Sequence, residues 1–232
     1  MDIAAKVTVL DRSNLFGGLP QQTLQDGAEA AKERKLDKGE ALFQQGDEAA
    51  THYIVSSGRL RLDQTTSDGK NVVLRFMGPG DMVGSVAVMR SIPYPATPIA
   101  VEETRVLSWS AVRMMELMHA HPALAMKTVH MMGGRIEELQ ERLQQVATQQ
   151  VERRIAATVL KIAGQSGRRT EAGVEIPFPL SRQDLAEMTG TTLHTVSRTI
   201  SAWIDEGIIE GRRSSHLVIT RPHRLVEISE QA

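Results

Sequence analysis

Apolar residues recur at two different periods along the chain, and the change of period divides it. Between about 36 and 109, short runs rich in β-branched residues are broken by turn signals at Gly39, Gly46-Asp47, Ser57-Gly58, Ser67-Asp68-Gly69 and Gly78-Pro79-Gly80-Asp81. A turn about every ten residues predicts an antiparallel sandwich or barrel. Within it, YIVSSGRLRLDQTTSDGKNVVLRFM (53–77) reads as consecutive hairpins, the second turning at Asp68-Gly69. An all-β domain is expected here.

From 111 onward the period lengthens. Ala125, Val129, Met132, Ile136, Leu139, Leu143 and Val146 follow four-three spacing, with Glu137, Glu138, Glu141 and Arg142 outside the stripe. That pattern is a coiled-coil seam, and so narrow a seam calls for a partner helix. The simplest partner is the same helix of a second copy, which makes Val129, Met132, Ile136, Leu139, Leu143 and Val146 the expected dimer interface. Packing onto the chain's own β domain is the alternative, but a one-sided surface helix shows a wider apolar stripe. Gly133-Gly134 interrupts the seam and marks close helix approach or a hinge.

A further helix, VERRIAATVLKIAGQ, ends at Gly164 and is followed by a polar loop over 165–173. Then SRQDLAEMTGTTLHTVSRTISAW (181–203) gives two helical runs broken by Thr189-Gly190-Thr191. In the second run apolar side chains recur at 193, 196, 200 and 203. Val196, Ile200 and Trp203 with Ile204 form a buried stripe, which leaves His194, Ser197, Arg198 and Ser201 on another face. Counting from Arg182, a small residue stands at position five (Ala186), Gly190 at nine and the branched Val196 at fifteen. A helix-turn-helix needs these types where the helices cross, turn and lock. Ser181 with Asp184 forms a capping box for the first helix. GIIEGRRSSHLVITRPHRL then reads as two short strands around a basic turn, so the order is that of a winged helix-turn-helix.

Composition narrows the partner. The formal charge of −1 is spread evenly, with 16 Lys+Arg against 18 Asp+Glu up to residue 150 and 11 against 10 beyond it, so net charge names no partner. Two Trp, two Tyr and four Phe are too few for a platform that stacks single-stranded bases, and the nucleic acid expected is duplex DNA. Absence of Cys excludes disulfides, thiolate zinc sites and Cys-ligated iron-sulfur clusters. Asp2, Lys6, Asp11 and Arg12 interrupt the first apolar runs, so no signal peptide or membrane span is drawn and a soluble cytoplasmic protein is expected. No Gly-x-Ser-x-Gly or phosphate loop occurs, and a non-enzyme is expected.

In the major groove, Arg198 can bond guanine O6 and N7 together. Ser197 is a candidate contact to thymine or phosphate, and His194 to a base edge or a phosphate; Thr195 and Ser201 share that side of the helix. Arg182, Thr192, Arg212 and Arg213 are placed for phosphates, which position without specifying. A dimer then reads an inverted repeat with half-sites one helical turn apart.

These elements in this order resemble the CRP/FNR family of bacterial transcription regulators. The likeness spans LFGGLP, LDKGEALFQQGDEA, HYIVSSGRLRL, DGKNVVLRFMGPGDMVG and LSRQDLAEMTGTTLHTVSRTI. It implies an α+β chain: a double-stranded β-roll that senses an effector (1–110), a long dimerisation helix (111–149) and a winged helix-turn-helix (150–232), acting as an activator on RNA polymerase. Cyclic-nucleotide members carry Gly-Glu-Leu and then Arg-Ser/Thr-Ala. Here the matching text is Gly84-Ser85-Val86 and Tyr94-Pro95-Ala96-Thr97-Pro98, which makes Gly84, Ser85, Val86, Tyr94, Ala96 and Thr97 the candidate effector pocket. Both charged contacts are missing, and a buried phosphate without a cation is costly, so cyclic AMP is not expected unless Arg90 or Arg105 substitutes. The cysteines of the fumarate-nitrate type are also missing, so no iron-sulfur cluster is expected.

SIPYPATPIAVEET and VEIPFPLSRQDLAEMTGTTLHTVSR are similar to the nitric-oxide-responsive branch that controls denitrification genes and is thought to sense through haem. Candidate haem ligands are His52, His119, His121 and His130, beside Met114, Met115, Met118, Met126, Met131 and Met132. A surface or capping role for each His, and an adaptable core for the methionines, is the plainer reading. His119 and His121 cannot act as a helical metal pair, because residues two apart face different ways. An effector-independent or cyclic-nucleotide-responsive regulator of the same fold is the alternative, and a ligand-binding module without DNA is a further one.

Overall fold

A computed structural model describes residues 1–148, 150–211 and 216–230, with the helix backbone alone at 141, 142 and 145–148. Contacts divide the chain into two units. One comprises Met1–Lys70 and Arg75–Glu138, the other Asn71–Leu74 and the chain from Leu139 onward.

The first unit opens with helices α1 (Ile3–Asp11) and α2 (Gln21–Ala30), followed by β1 (Lys32–Leu36), β2 (Thr51–Ser57), β3 (Leu60–Thr65), β4 (Asn71–Met77) and β5 (Met82–Val83). A short helix α3 (Ser85–Arg90), strands β6 (Thr97–Ala100) and β7 (Thr104–Ser110), and helices α4 (Ala111–Ala120) and α5 (Pro122–Thr148) follow, the start of β4 (Asn71–Leu74) and α5 from Leu139 being counted with the second unit. Strands order as β1-β7-β2-β5 in one sheet and β4-β3-β6 in the other. Leu36, Val55, Val83 and Val106 of the first sheet meet Leu60, Met77 and Ala100 of the second in one buried cluster. The opposite face of the first sheet is covered as well. Ile54, Leu107 and Trp109 pack with Leu10, Leu24, Met114, Leu117 and Leu124 of the helices and with Phe16 between α1 and α2. Burial on both faces is why β2 and β7 carry adjacent apolar residues, Ile54-Val55 and Val106-Leu107, rather than a clean alternation. Trp109 anchors this layer: its ring stacks on Phe16 with centroids 5.8 Å apart, and its Nε1 donates to the Gly27 carbonyl at 2.8 Å.

The β-sandwich is as the spacing predicts, but three expectations need correction. Residues 53–65 are not a hairpin, since β2 and β3 belong to different sheets and the chain passes between them at Gly58. The turn is locked by Thr104, whose hydroxyl accepts from the Arg59 amide at 3.0 Å, and by the left-handed backbone of Gly58 at φ +77°. Only the second turn is a hairpin turn, closed by the Thr66 amide donating to the Lys70 carbonyl at 2.8 Å. The stretch expected to be all-β is also interrupted by a helix, α3. Finally, residues 111–148 form two helices. Pro122 disfavours helical backbone in the residue before it, and His121 accordingly adopts φ −129°, ψ 81°.

The second unit contains α6 (Val151–Ser166), β8 (Arg168–Thr170), β9 (Gly173–Ile176), α7 (Arg182–Thr189), α8 (Leu193–Asp205), β10 (Ile209–Gly211), β11 (Leu217–Ile219) and α9 (Pro222–Glu230). Its sheet runs β10-β11-β9-β8, all antiparallel. Ile155, Ala156, Val159 and Ile162 bury one face of α6. The polar loop expected over 165–173 holds β8, paired with β9 from Arg168 opposite Glu175. Its three residues are all exposed, so no apolar alternation announces the strand. The basic turn at 212–215 lies outside the described residues.

Gly58→Ala is expected to destabilise the chain by more than a left-handed alanine alone, because a Cβ at Gly58 meets the Glu103 carbonyl oxygen at 2.3 Å. Gly39, at φ +88°, has open space around it. Gly39→Ala should therefore cost only the strain term of about 1–2 kcal/mol. Urea unfolding of the two variants measures the difference, and equal losses would refute the crowding at Gly58.

Candidate functional site

Local chemistry fixes both helices of the helix-turn-helix. Ser181 Oγ accepts from the Asp184 amide at 3.0 Å, and the Asp184 carboxylate accepts from the Ser181 amide at 2.9 Å, which completes the expected capping box. The first helix ends at Gly190, left-handed at φ 63°, whose amide donates to the Ala186 carbonyl. Thr192 caps α8: its Oγ1 accepts from the Thr195 amide at 3.2 Å and lies 2.9 Å from the Thr195 hydroxyl. Both threonines expected at the DNA thus also serve to start the helix.

Rotation of α8 about its axis is set by burial. Val196 is 0%, Ile200 4% and Trp203 1% exposed, and the indole Nε1 of Trp203 donates to Glu152 of α6 at 3.1 Å. His194 and Arg198 are consequently exposed, and Ser197 and Ser201 half-buried beside them, so the four predicted residues do share a face. Arg182 is exposed at the start of α7. Among the described residues, no hydrogen bond or ion pair engages the side chains of Arg182, His194 or Arg198, which leaves two guanidinium groups free for a ligand. Arg212 and Arg213 lie outside the described residues. Ile204 departs from the expected buried stripe: it is 37% exposed and edges an open groove of about 250 Å³ with Leu180, Leu185 and Leu217. Sequence reasoning missed the supports. Besides Glu152, Arg154 Nε donates to the Thr189 carbonyl at 3.1 Å and ties α6 to the end of α7. Three charged residues, Glu152, Arg153 and Arg154, in the first turn of an otherwise amphipathic helix were the available signal.

The candidate effector residues are divided by the fold. Gly84 begins α3 with φ 80°, and a Cβ there would stand 2.9 Å from the Tyr94 ring. Tyr94 is buried, stacked on Phe43 at 3.6 Å, and its hydroxyl donates to the Thr51 carbonyl at 2.7 Å. Burial pushes this phenol up to about 12. Ala96 is buried, and Thr97 Oγ1 accepts from the Gln45 amide at 2.8 Å. Ser85 is 4% exposed and its hydroxyl has no partner, whereas Val86 is 47% exposed and does not line an interior with the others. Arg105 is committed to Glu33 at 2.9 Å, a pairing that, after the hydrogen bond from the chain's own amino terminus, holds the Glu33 carboxyl below its ordinary range. Arg90 is exposed at the end of α3.

The four histidines separate as sharply. His52, 3% exposed, lies on β2 directly opposite Trp109, and its Nδ1 has no partner; burial lowers its pKa to about 4. His121 has both ring nitrogens occupied, Nδ1 by Thr23 Oγ1 at 3.1 Å and Nε2 by Asp26 at 2.7 Å. That bond to His121 is the main reason the Asp26 carboxyl sits below the usual carboxylate range. His119 and His130 are exposed. The methionines form no single stripe either, since Met114 is buried while Met115 and Met126 are more than half exposed. Among the described residues no group of three or more His, Asp and Glu is arranged to hold a metal ion. None of the described helices is long and apolar enough to cross a membrane.

Along α5, Val129, Ile136, Leu139 and Leu143 are 61, 57, 50 and 71% exposed, and Met132 is half-buried. A Cβ added at Gly133 or Gly134 would meet nothing within 4 Å. The side chain of Val146 lies outside the described residues.

Comparison with known proteins agrees with both units. Residues 33–121 match the cyclic nucleotide-binding domain, and residues 153–228 match the Crp-like helix-turn-helix domain. The chain is 27% identical to the cyclic AMP receptor protein of Thermus thermophilus, over 85% of this chain and 88% of that protein. It is 29% identical to the transcriptional activator protein FnrA of Stutzerimonas stutzeri, over 76% of this chain and 72% of that one. In fold it is similar to FixK2 from Bradyrhizobium japonicum, with a TM-score of 0.75, 24% identity and coverage of 87% of this chain and 98% of that one. The two matched domains stand in one chain in the order found in regulators of DNA transcription rather than in enzymes. A β-roll joined to a Crp-like reading head, alike in sequence to both cyclic-AMP and fumarate-nitrate regulators, places this chain in the CRP/FNR family of DNA-binding transcription regulators.

Proposed function

We propose that two copies of the chain associate along α5 and present paired α8 helices to an inverted-repeat DNA duplex. The observation that carries this reading is the outer face of α8, where Arg198 and His194 are exposed and unpartnered on a helix whose other face is fully buried. Arg198 supplies the bidentate contact to guanine, with Ser197, His194 and Ser201 along the same groove wall. Arg182, Thr192 and Thr195, with Arg212 and Arg213 of the wing, hold phosphates and set the register. The exposed ridge of Val129, Ile136, Leu139 and Leu143 supports the dimer, because a charged helix that leaves large apolar side chains in water lacks its packing partner. On the family likeness, the dimer acts in the cytoplasm as an activator that touches RNA polymerase.

Arg198→Ala is expected to lose about 1–3 kcal/mol per half-site and to lower the ratio of specific to non-specific affinity. Arg182→Ala should weaken all sequences alike. Fluorescence anisotropy against operator and random duplexes separates the two, and an unchanged specificity ratio in Arg198→Ala would overturn the assignment. Leu143→Lys is expected to yield single chains by light scattering and weak operator binding. Intact dimers would count against the seam.

We further propose that the first unit responds to nitric oxide through haem and controls genes of nitrogen-oxide metabolism. The missing carboxylate and cation at 84–97, where a cyclic nucleotide would be held, support this reading. Of the four candidate ligands only His52 fits, as a buried imidazole with a ring nitrogen free of any partner. His121 is spent on Thr23 and Asp26. A bound haem would supply an iron that takes up nitric oxide. His52 would hold it, from its place on β2 opposite Trp109 of β7. Protein purified with haem available should show a Soret band that moves on adding nitric oxide and is lost in His52→Ala. An effector-independent regulator is the competing reading, favoured by the Tyr94–Phe43 stack that packs the candidate pocket with the chain's own side chains. No Soret band, together with full operator binding by the purified protein, would decide for it.

A further inference from the structure

Leu193 is the first residue of α8, directly after the capping Thr192, and it is 48% exposed. Its period assigns it to the apolar series with Val196, Ile200 and Trp203, yet those three are at most 4% exposed. The core therefore does not explain it. Nor does the groove beside the wing, whose lining includes Ile200 and Ile204 but not Leu193. The start of a helix gives no reason for an aliphatic side chain, since its unpaired amides favour acidic and small polar residues there. Single exposed leucines are common on protein surfaces, and what distinguishes this one is its position. Leu193, Ser197 and Ser201 are spaced four apart and so lie along one line of the helix, beside the pair His194 and Arg198. An unexplained apolar group thus stands in the first turn of the face proposed to read DNA, and N-terminal side chains of a reading helix reach base edges.

Among the base edges in the major groove, thymine alone offers an apolar group, its C5 methyl. We propose that Leu193 is a specificity-determining residue that selects thymine in each half-site by packing against that methyl. The hydrogen-bonding side chains of the face read donors and acceptors. Leu193 adds a contact that excludes the polar edges, because burying them against its isobutyl group would leave them unpaired.

This inference rests on the reading of α8 as the DNA-reading helix, and one experiment tests both separably. The full-length protein is used to select its preferred duplex from a random pool, and each thymine of the selected site is then replaced singly by deoxyuridine, which removes only the methyl. At one position per half-site the affinity should fall about fourfold, the value of one buried methyl group. Leu193→Ala should bind the thymine and uracil versions of that position equally. Leu193→Met, which keeps an apolar tip, should retain part of the preference. Arg198→Ala should bind less well overall but keep the thymine-to-uracil ratio. A selected site in which no deoxyuridine matters, or a Leu193→Ala variant with the parent's preference, overturns the role of Leu193 alone. Failure to select any site overturns the reading helix and this inference with it.

Discussion

Burial of Val196, Ile200 and Trp203 is the constraint from which the reading face follows. A helix has one period, so fixing three residues of that period inside fixes which residues remain outside. Each fully buried side chain contributes about 1.5–3 kcal/mol, far more than a surface residue gains by its own orientation. The core therefore aims Arg198 and His194, and neither needs a contact of its own to be held in place. The supports reinforce this. Glu152 takes the Trp203 indole N–H and Arg154 takes the Thr189 carbonyl, so the scaffold helix α6 grips both members of the helix-turn-helix. Arg198 and His194 can thus change without loss of the fold, whereas Thr192 is also needed to cap α8.

In the first unit the same logic produces a closed, layered core. One sheet is buried on both sides, by the second sheet and by the helices α1, α2, α4 and the start of α5. Polar groups inside such a layer are satisfied or kept neutral. Thr104 bonds around the Arg59 backbone, Tyr94 donates to Thr51, and His52 stays neutral because burial lowers its pKa. Among the described residues, His52, Ser56 and Ser85 each keep a buried side-chain atom without a hydrogen-bond partner. Unsatisfied groups of this kind are uncommon in stable cores and mark positions where something besides packing is at work. Gly84 lies against the Tyr94 ring, and that ring is itself stacked on Phe43. With no charged group among Gly84, Ser85, Tyr94, Ala96 and Thr97, the site differs in chemistry from one built for a cyclic phosphodiester.

The long helix α5 carries the remaining unsatisfied surface. Its apolar ridge is exposed while its flanks are charged, a distribution stable in water only when the ridge is covered. Gly133 and Gly134 cost helix stability, at about 1 kcal/mol each, and among the described residues nothing crowds them. Small residues on such a ridge let a second backbone approach closely.

Local chemistry was legible in the sequence wherever the cause lies within a few residues. The capping box at Ser181 and Asp184, the left-handed turn at Gly190, the outward face of α8, the hairpin at 66–70 and the ridge of α5 all follow from side-chain types and short spacings. Helices α1 and α2, strand β8 and helix α3 were not legible, because their apolar signal is short or absent and their partners lie far away in the chain. Tertiary structure alone decided which strands share a sheet, and so turned the supposed hairpin at Gly58 into a passage between two sheets. It also separated four similar histidines into one buried, one doubly bonded and two exposed, and set Leu193 outside the core that its spacing assigned it to. The physical reason is the same throughout. Periodicity and turn chemistry act between neighbours, whereas burial and hydrogen-bond partners depend on which distant segments are brought together.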